Sequence, residues 1–574
     1  MHPTPRKRAS WRLQAAACLA VCLSALLLEL PFPLAGPMPA WRSVFAWVGL
    51  VPLLWALLSP RFPSSPRPLR RGFFLGYLAG FLWYVGNCYW VRDTMMRYGD
   101  MPPMAPTLLL IGFSLVLGLY WGVFGLGVVL VRRASGSVRM ALVFAPFLWA
   151  ALEFAAAHIT SVPWDQLGYS QVDNALVNQL APWTGVYGIS FLAVAVNALL
   201  AGGLLLGRKI GNPLSGRWAW AACGAVLLAA GFAGVFLAPS MAQMTATAVL
   251  IQPDLDVGND NTWGAVGWES HMAEFAQQAA HPCGPFIAGI PQTGAPDVEP
   301  LCASYVFPAA VVAWPESPAP FIQSDRRLKE AMAEVASTAH APLIIGGIGG
   351  EYDASGHDWS YYNSAMVFDS SGKGIGRYDK IHLVPFGEYI PFQNLLTFAH
   401  KLTGRVSSFS RGSDRKVFYL EDSNGEVHRY GVFICYEAVF ADEVRHFAKN
   451  GAQVLVNLSD DGWYGDTSAP WQHLNMARMR AIENRRWILR DTNNGVTAAI
   501  DPYGRVCQSI PRHQAGALAA QFGYRDDVTF YTAHADVFAW LCAVMSLGFV
   551  GWAGREASKS NRRSFAFGSG GQHR

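Results

Sequence analysis

The sequence predicts two folds in one chain: a multi-pass α-helical membrane domain, then a layered α/β domain, with one more membrane span after it. Three observations carry this reading. Of the 574 residues, 52% are hydrophobic and 15% charged, which is too apolar for a purely soluble protein of this length. The apolar residues are concentrated in long runs between 12 and 238. From 239 to 535 the pattern changes to short strands, amphipathic helices and turns. The expected division is therefore 1–238, 239–535 and 536–574.

A helix needs about 20 apolar residues to cross the hydrocarbon core. Seven runs before residue 238 meet that need, near 13–29, 43–58, 73–91, 106–131, 140–157, 188–207 and 218–237. An eighth lies at 536–553. The first run follows Arg6, Lys7 and Arg8 and resembles a signal peptide, but further spans follow at once, so a retained helix is expected.

Lysine and arginine orient these spans, because cytoplasmic loops are enriched in them. Basic residues flank the start (Arg6, Lys7, Arg8, Arg12) and fill alternate loops: Arg61, Arg67, Arg70 and Arg71; Arg132, Arg133 and Arg139; Arg208, Lys209 and Arg217. The intervening loops hold only Arg42, then Arg92 and Arg97, then none between 158 and 187. The tail carries Arg555, Lys559, Arg562 and Arg563. Both ends are thus expected in the cytoplasm and 239–535 outside it. The net charge of +4 sits mainly in these flanking loops, so it reports topology and gives no support for nucleic-acid binding.

In the second part, "TATAVLIQP", "AAVVAWPE", "APLIIGGIG", "NSAMVFD", "RYGVFICYE", "AQVLVNLS" and "GVTAAIDPYG" read as strands. They alternate with helical patterns such as "DRRLKEAMAEVASTAHA" and "HLNMARMRAIENRR". "DSSGKGIGRYDK" reads as a hairpin whose far strand delivers Lys380. Cys283 and Cys302 bracket a Pro/Gly-rich stretch, where a disulfide and two unpaired thiols are both compatible with an exported domain.

Three reactive groups close strand candidates: Glu316 in "VVAWPE", Lys380 in "GRYDK" and Cys435 in "YGVFICYE". Each alone has an ordinary reading, as a turn carboxylate, a solvated lysine and a packed thiol. Together they make an acyl-transfer set. A free thiol titrates near about 8.5, so an adjacent ammonium and a carboxylate base are expected to raise its thiolate share. The ammonium can then stabilise the oxyanion, and the carboxylate can return its proton to the leaving group.

These residues and their surroundings resemble the nitrilase superfamily, which places a Glu/Lys/Cys triad on a four-layer αββα sandwich. The strings "AWPES", "YDKIHLVPFGEYIPF", "ICYE", "DGWYGDTSAPWQHLNMARMRAIENRR" and "TNNGVT", with "GNCYWV", "PWDQLGYSQ" and "GVYGISF" in the membrane half, are similar to the bacterial apolipoprotein N-acyltransferases. The resemblance implies a cysteine thioester formed from a membrane phospholipid. Its acyl chain then passes to the α-amine of a diacylglyceryl cysteine on an apolipoprotein, as in lipoprotein maturation. It implies Glu316, Lys380 and Cys435 as catalytic residues, Glu388 and Glu437 as supporting carboxylates, and Tyr436 and Trp463 as substrate-binding aromatics. Glu388 would hold Lys380, and Glu437 would position the nucleophile or the incoming amine. Their ordinary readings are a loop carboxylate and a helix N-terminal residue favoured by the macrodipole.

No cofactor or metal is expected, and the chain has no G-x-x-x-x-G-K loop or H-E-x-x-H motif. A monomer without a nucleic-acid partner is expected. "PFQNLLTFAHKL", with Phe392, Leu395, Leu396, Phe398 and Leu402, fits an amphipathic flap on the bilayer, and equally a helix packed on its own domain. Glu153 is an ionisable residue inside a predicted span, without an assigned role. Two departures stand out: Asp460 where the family commonly has asparagine, and a long insertion at about 279–310. A membrane-tethered carbon-nitrogen hydrolase (amidase or nitrilase) would also use the triad but leaves the preceding spans idle. A non-catalytic receptor built on a dead hydrolase fold would be expected to have lost a triad member.

Overall fold

The computed structural model describes residues 5–60, 67–99, 101–102, 104–206, 216–237, 242–257, 265–291, 301–302, 309–316, 322–352, 359–389 and 409–568. Among them, seven helices are long and apolar enough to cross a membrane: Arg12–Glu29, Ala40–Leu58, Met104–Ser135, Val138–Thr160, Val186–Leu205, Arg217–Phe236 and Val537–Glu556. The remaining expected span is Pro68–Asn87, a 20-residue helix outside that set, with Arg70 and Arg71 in its first turn. It lies against Met104–Ser135 with almost no side chain between the backbones. A Cβ on Gly76 would collide with the Trp121 carbonyl oxygen, and one on Gly125 would collide with that of Gly72. Lipid is as apolar as leucine, so helices in it associate by such close packing rather than by a hydrophobic drive.

Fourteen described strands follow: β1 (Ala246–Gln252), β2 (Cys283–Gly284), β3 (Leu301–Cys302), β4 (Val311–Trp314), β5 (Leu343–Tyr352), β6 (Trp359–Phe368), β7 (Gly374–Asp379), β8 (Val417–Glu421), β9 (Val427–Ile434), β10 (Val454–Ser459), β11 (Trp487–Thr492), β12 (Thr497–Ile500), β13 (Val506–Ile510) and β14 (Gly516–Phe522). Two six-stranded sheets run in the orders β14-β1-β4-β5-β6-β7 and β13-β12-β11-β10-β9-β8, and β2 pairs with β3. Cys283 and Cys302, opposite each other in that pair, are joined by a disulfide.

Period-two alternation gives the first sheet two buried faces. Ala248, Leu250, Val311, Ala313 and Ile344 pack into the core shared with the second sheet, whose Val432, Ile434 and Val456 join it. Val249, Ile251, Val312, Trp314 and Ile345 face outward onto helices Ala265–Ala280 and Arg326–Ala339. The second helix shows why the sequence folds so. Asp325 caps it by accepting from Arg327 N at 2.8 Å. Leu328, Met332, Val335, Ala336 and Ala339 make its buried stripe, and His340 ends it in the left-handed region. Each large aliphatic side chain buried this way contributes about 1.5–3 kcal/mol. With Ala441–Lys449 and Ala469–Asn484 beside the second sheet, the domain is a helix–sheet–sheet–helix sandwich.

Ala469–Asn484 differs from the amphipathic helix that its sequence pattern suggests, because all of its residues are buried. One side meets the sandwich and the other meets the membrane half. Trp164 Nε1 donates to Gln472 Oε1 at 2.8 Å, and Gln472 Nε2 donates to the Pro33 and Asn87 carbonyls at 3.3 and 3.2 Å. Arg480 bonds both Tyr169 Oη and Glu483 at 3.0 Å, and Glu483 accepts from Val186 N at 3.1 Å. The 161–185 segment, a plain inter-span loop by sequence, supplies many of these partners and is itself largely buried.

Candidate active site

The site lies where β4, β7 and β9 end. Pro315 stops β4 and Glu316 follows it, 6% exposed. Lys380 follows β7, 1% exposed, its amide donating to Asn363 O at 2.8 Å while its carbonyl accepts from Gly412 N at 2.9 Å. Cys435 follows β9, buried and at φ +46°, the first residue of the turn Cys435–Val439. Only a structure that over-determines this backbone keeps a non-glycine residue there, at a cost on the order of 1–3 kcal/mol.

Lys380 Nζ donates to Glu316 Oε1 at 2.8 Å and to Glu388 Oε1 at 3.0 Å. Burial opposes the ammonium, yet Glu316 and Glu388, with Cys435, hold it well above the ordinary lysine value. For Cys435 burial wins. It pushes the thiol well above its usual value, Glu316 adds to that, and Lys380 pulls down without compensating. Lys380 thus favours the thiolate, as expected, but burial outweighs it, so the balance at rest lies with the thiol and attack calls on a base to remove its proton.

Glu388 accepts from Lys380 and Asn363 on Oε1 and from Val384 N on Oε2, the last at 2.7 Å. Glu437 is fully buried. Its Oε1 accepts from Tyr378 Oη, Ile381 N and His382 N at 2.8, 2.6 and 3.1 Å, and its Oε2 from Ile434 N at 2.7 Å. It thus ties the segment after Lys380 to the strand before Cys435, and these bonds fit positioning the nucleophile better than receiving an amine. Tyr436 Oη donates to Ser161 O of the membrane half at 3.3 Å. Trp463, 45% exposed, packs edge-on against Tyr98 with ring centroids 5.1 Å apart, at the junction of the two halves. The segment holding Phe392, Leu395, Leu396, Phe398 and Leu402 lies outside the described residues.

Asp460 donates its peptide N–H to Glu316 Oε2 at 3.0 Å, and its carboxyl accepts from Gly462 N at 3.1 Å. Burial, then the Glu316 charge, push this carboxyl up to about 8. It is therefore mostly protonated near neutrality, as uncharged as the amide that the family commonly places there. Within the membrane half, Glu153 holds neighbouring segments together, since its Oε1 accepts from Trp149 Nε1 and Leu167 N, both at 2.8 Å.

Sequence reasoning passes over two features. Asn363 Nδ2 donates to Glu316 at 2.7 Å and Glu388 at 2.6 Å, bridging both carboxylates. Behind Cys435, His473 Nε2 lies 2.9 Å from the Cys435 carbonyl oxygen, and its Nδ1 lies 2.9 Å from Asp461 Oδ1. Burial works against the Asp461 charge, but Arg490 and His473 hold its carboxyl below the usual range. Asn363 sits in "NSAMVFD" and His473 in "PWQHLNM", strings whose patterns speak only of a strand and a helix.

Comparison with known proteins covers both halves. Residues 24–199 match the apolipoprotein N-acyltransferase N-terminal domain and residues 268–523 the carbon-nitrogen hydrolase family. An apolipoprotein N-acyltransferase of Geobacter metallireducens is 32% identical over 529 residues, spanning 91% of this chain and 92% of its own. One of Allorhizobium ampelinum is 32% identical over 470 residues, spanning 80% and 81%. The crystal structure of Saccharomyces cerevisiae Nit3, from the nitrilase superfamily, overlaps 52% of this chain and 97% of its own at 16% identity, with a TM-score of 0.32.

Proposed function

The chain belongs to the apolipoprotein N-acyltransferase family, and from that premise we propose how its residues divide the work. It is an acyltransferase and a multi-pass bacterial membrane protein. A membrane-tethered amidase is the weaker reading, because the likeness to acyltransferases runs through the membrane half as well.

Cys435 Sγ attacks the ester carbon of a phospholipid acyl chain while Glu316 takes the thiol proton. Lys380 Nζ holds the oxyanion. The tetrahedral adduct collapses, the carbon–oxygen bond breaks, and Glu316 gives the proton to the departing lysophospholipid. In the second half-reaction the α-amine of a diacylglyceryl cysteine attacks the thioester, Glu316 takes a proton from the nitrogen, and Cys435 leaves with one. An ester becomes a thioester and then a more stable amide, so the sequence of steps needs no nucleotide.

Glu388 and Asn363 keep Lys380 and Glu316 in register, and Glu437 keeps the Lys380 segment against the nucleophile. Tyr436 and Trp463 line the approach from the membrane half. Residues 239–535 form the catalytic domain on the extracytoplasmic side of the cytoplasmic membrane, as the basic loops argue. The functional unit in this reading is a single chain.

The observation that carries the reading is a buried ammonium held by two carboxylates, with the buried Cys435 at a strained strand end of the same site. Incubating purified protein with acyl-labelled phospholipid tests it. A hydroxylamine-sensitive label on wild type, with none of this kind on Cys435→Ser, is expected. An unlabelled wild type would refute the thioester.

A further inference from the structure

The nucleophile is braced from behind by groups that the acyl-transfer steps do not use. Asp461 is 1% exposed and His473 fully buried. Asp461 Oδ1 accepts from Ser459 Oγ at 3.0 Å and lies 2.9 Å from His473 Nδ1, and Oδ2 accepts from Arg490 at 2.6 Å. Arg490 also approaches His473 Nδ1 at 3.2 Å and bonds Asn457 Oδ1. The chain of contacts ends on the main chain of the nucleophile, where His473 Nε2 stands 2.9 Å from the Cys435 carbonyl oxygen. A carbonyl only accepts, so Nε2 carries the hydrogen and donates it.

That carbonyl belongs to the peptide whose N–H is Tyr436's. Tyr436 is the second residue of the turn Cys435–Val439, where an N–H has no partner within the helix. By connectivity this N–H lies next to the Cys435 side chain, where charge develops on the acyl oxygen. A hydrogen bond to one end of an amide polarises the other end and makes its N–H a stronger donor.

We propose that His473, held by Asp461 and Arg490, is a positioning residue that polarises the Cys435–Tyr436 peptide and so strengthens Tyr436 N–H as a second oxyanion donor beside Lys380. This rests on Cys435 being the acyl-accepting nucleophile. A bare oxyanion-hole donor is worth about 10²–10³ in rate, and a group acting through one peptide is worth less, about tenfold.

The test separates two reactions of the same sulfur in the full-length protein. Acylation by labelled phospholipid builds an oxyanion, whereas alkylation by iodoacetamide, followed by mass spectrometry of the Cys435 peptide, builds none. His473→Phe should slow acylation about tenfold or more and leave alkylation within about twofold, because only the first reaction uses the polarised N–H. His473→Gln keeps a side-chain N–H donor and should recover most of the acylation rate. Acylation and alkylation falling together would show that His473 only shapes the turn, and no change in either would show that it does nothing to the nucleophile. Both results overturn the proposal. Wild-type protein that alkylates normally but never acylates would remove the Cys435 assignment and this inference with it.

Discussion

Replacing Asp460 by asparagine isolates one proton in the site. The carboxyl titrates near about 8 in the folded protein against an ordinary 3.8, chiefly because it is buried and then because Glu316 is beside it. The folded value is the higher one, so the folded protein keeps a proton that the unfolded chain releases. The stabilisation from that proton is complete below about pH 4 and is lost as the pH climbs to about 8. From 3.8 to neutrality, at about 1.4 kcal/mol per pH unit, the loss is on the order of 4 kcal/mol. Asparagine keeps an oxygen for Gly462 N and has nothing to ionise, so Asp460→Asn should be the more stable protein by up to this amount at about pH 7, and by somewhat more as the pH approaches about 8. At about pH 4 the two should match. Thermal unfolding in detergent from about pH 4 to about pH 9 measures the difference. Transfer rates should follow. Above about pH 8 an ionised Asp460 adds negative charge beside Glu316, where the oxyanion forms, so the wild-type rate falls and the variant's should not. Equal melting points at about pH 8, or an alkaline limb that survives in Asp460→Asn, would refute this reasoning.

Two further outcomes follow from contacts around the triad. Glu437→Gln turns one acceptor of a fully used carboxyl into a donor facing backbone N–H groups, costing about 1–3 kcal/mol; it should lower the melting temperature and cut kcat at least about tenfold. A methyl on Gly412 would collide with the carbonyl oxygen of Asp379, the residue before Lys380, so Gly412→Ala should displace the ammonium and lower kcat with little change in stability at the distant sheet edges. Acyl-label kinetics and melting curves check both.

Much of the fold is legible because it rests on local pattern. Long apolar runs mark the spans, alternation marks the strands, and the hairpin after β6 is closed by Asp369, which accepts from Ser371 N and Lys373 N. Glu316, Lys380 and Cys435 can be singled out because strand ends present side chains that strand interiors bury. Asn363 cannot, since its role exists only after β6 is laid beside the loops of Glu316 and Glu388. Nor can the resting charge of Cys435 be read, because it depends on how dry the pocket is, and no residue string states that. The pattern at Ala469–Asn484 correctly gives a helix but wrongly gives a half-solvated one, since its second partner lies about 300 residues earlier in the chain.

That doubly enclosed helix bears on how the enzyme can be handled and how it comes to exist. A soluble version trimmed of its spans would leave the amide of Gln472 without its partners and would strip Tyr169 and Val186 from the Arg480–Glu483 pair, on a surface never meant for water. Biogenesis inherits the same constraint: the last wall of the reaction chamber can set only once the lipid-embedded segments made long before it have already taken their places.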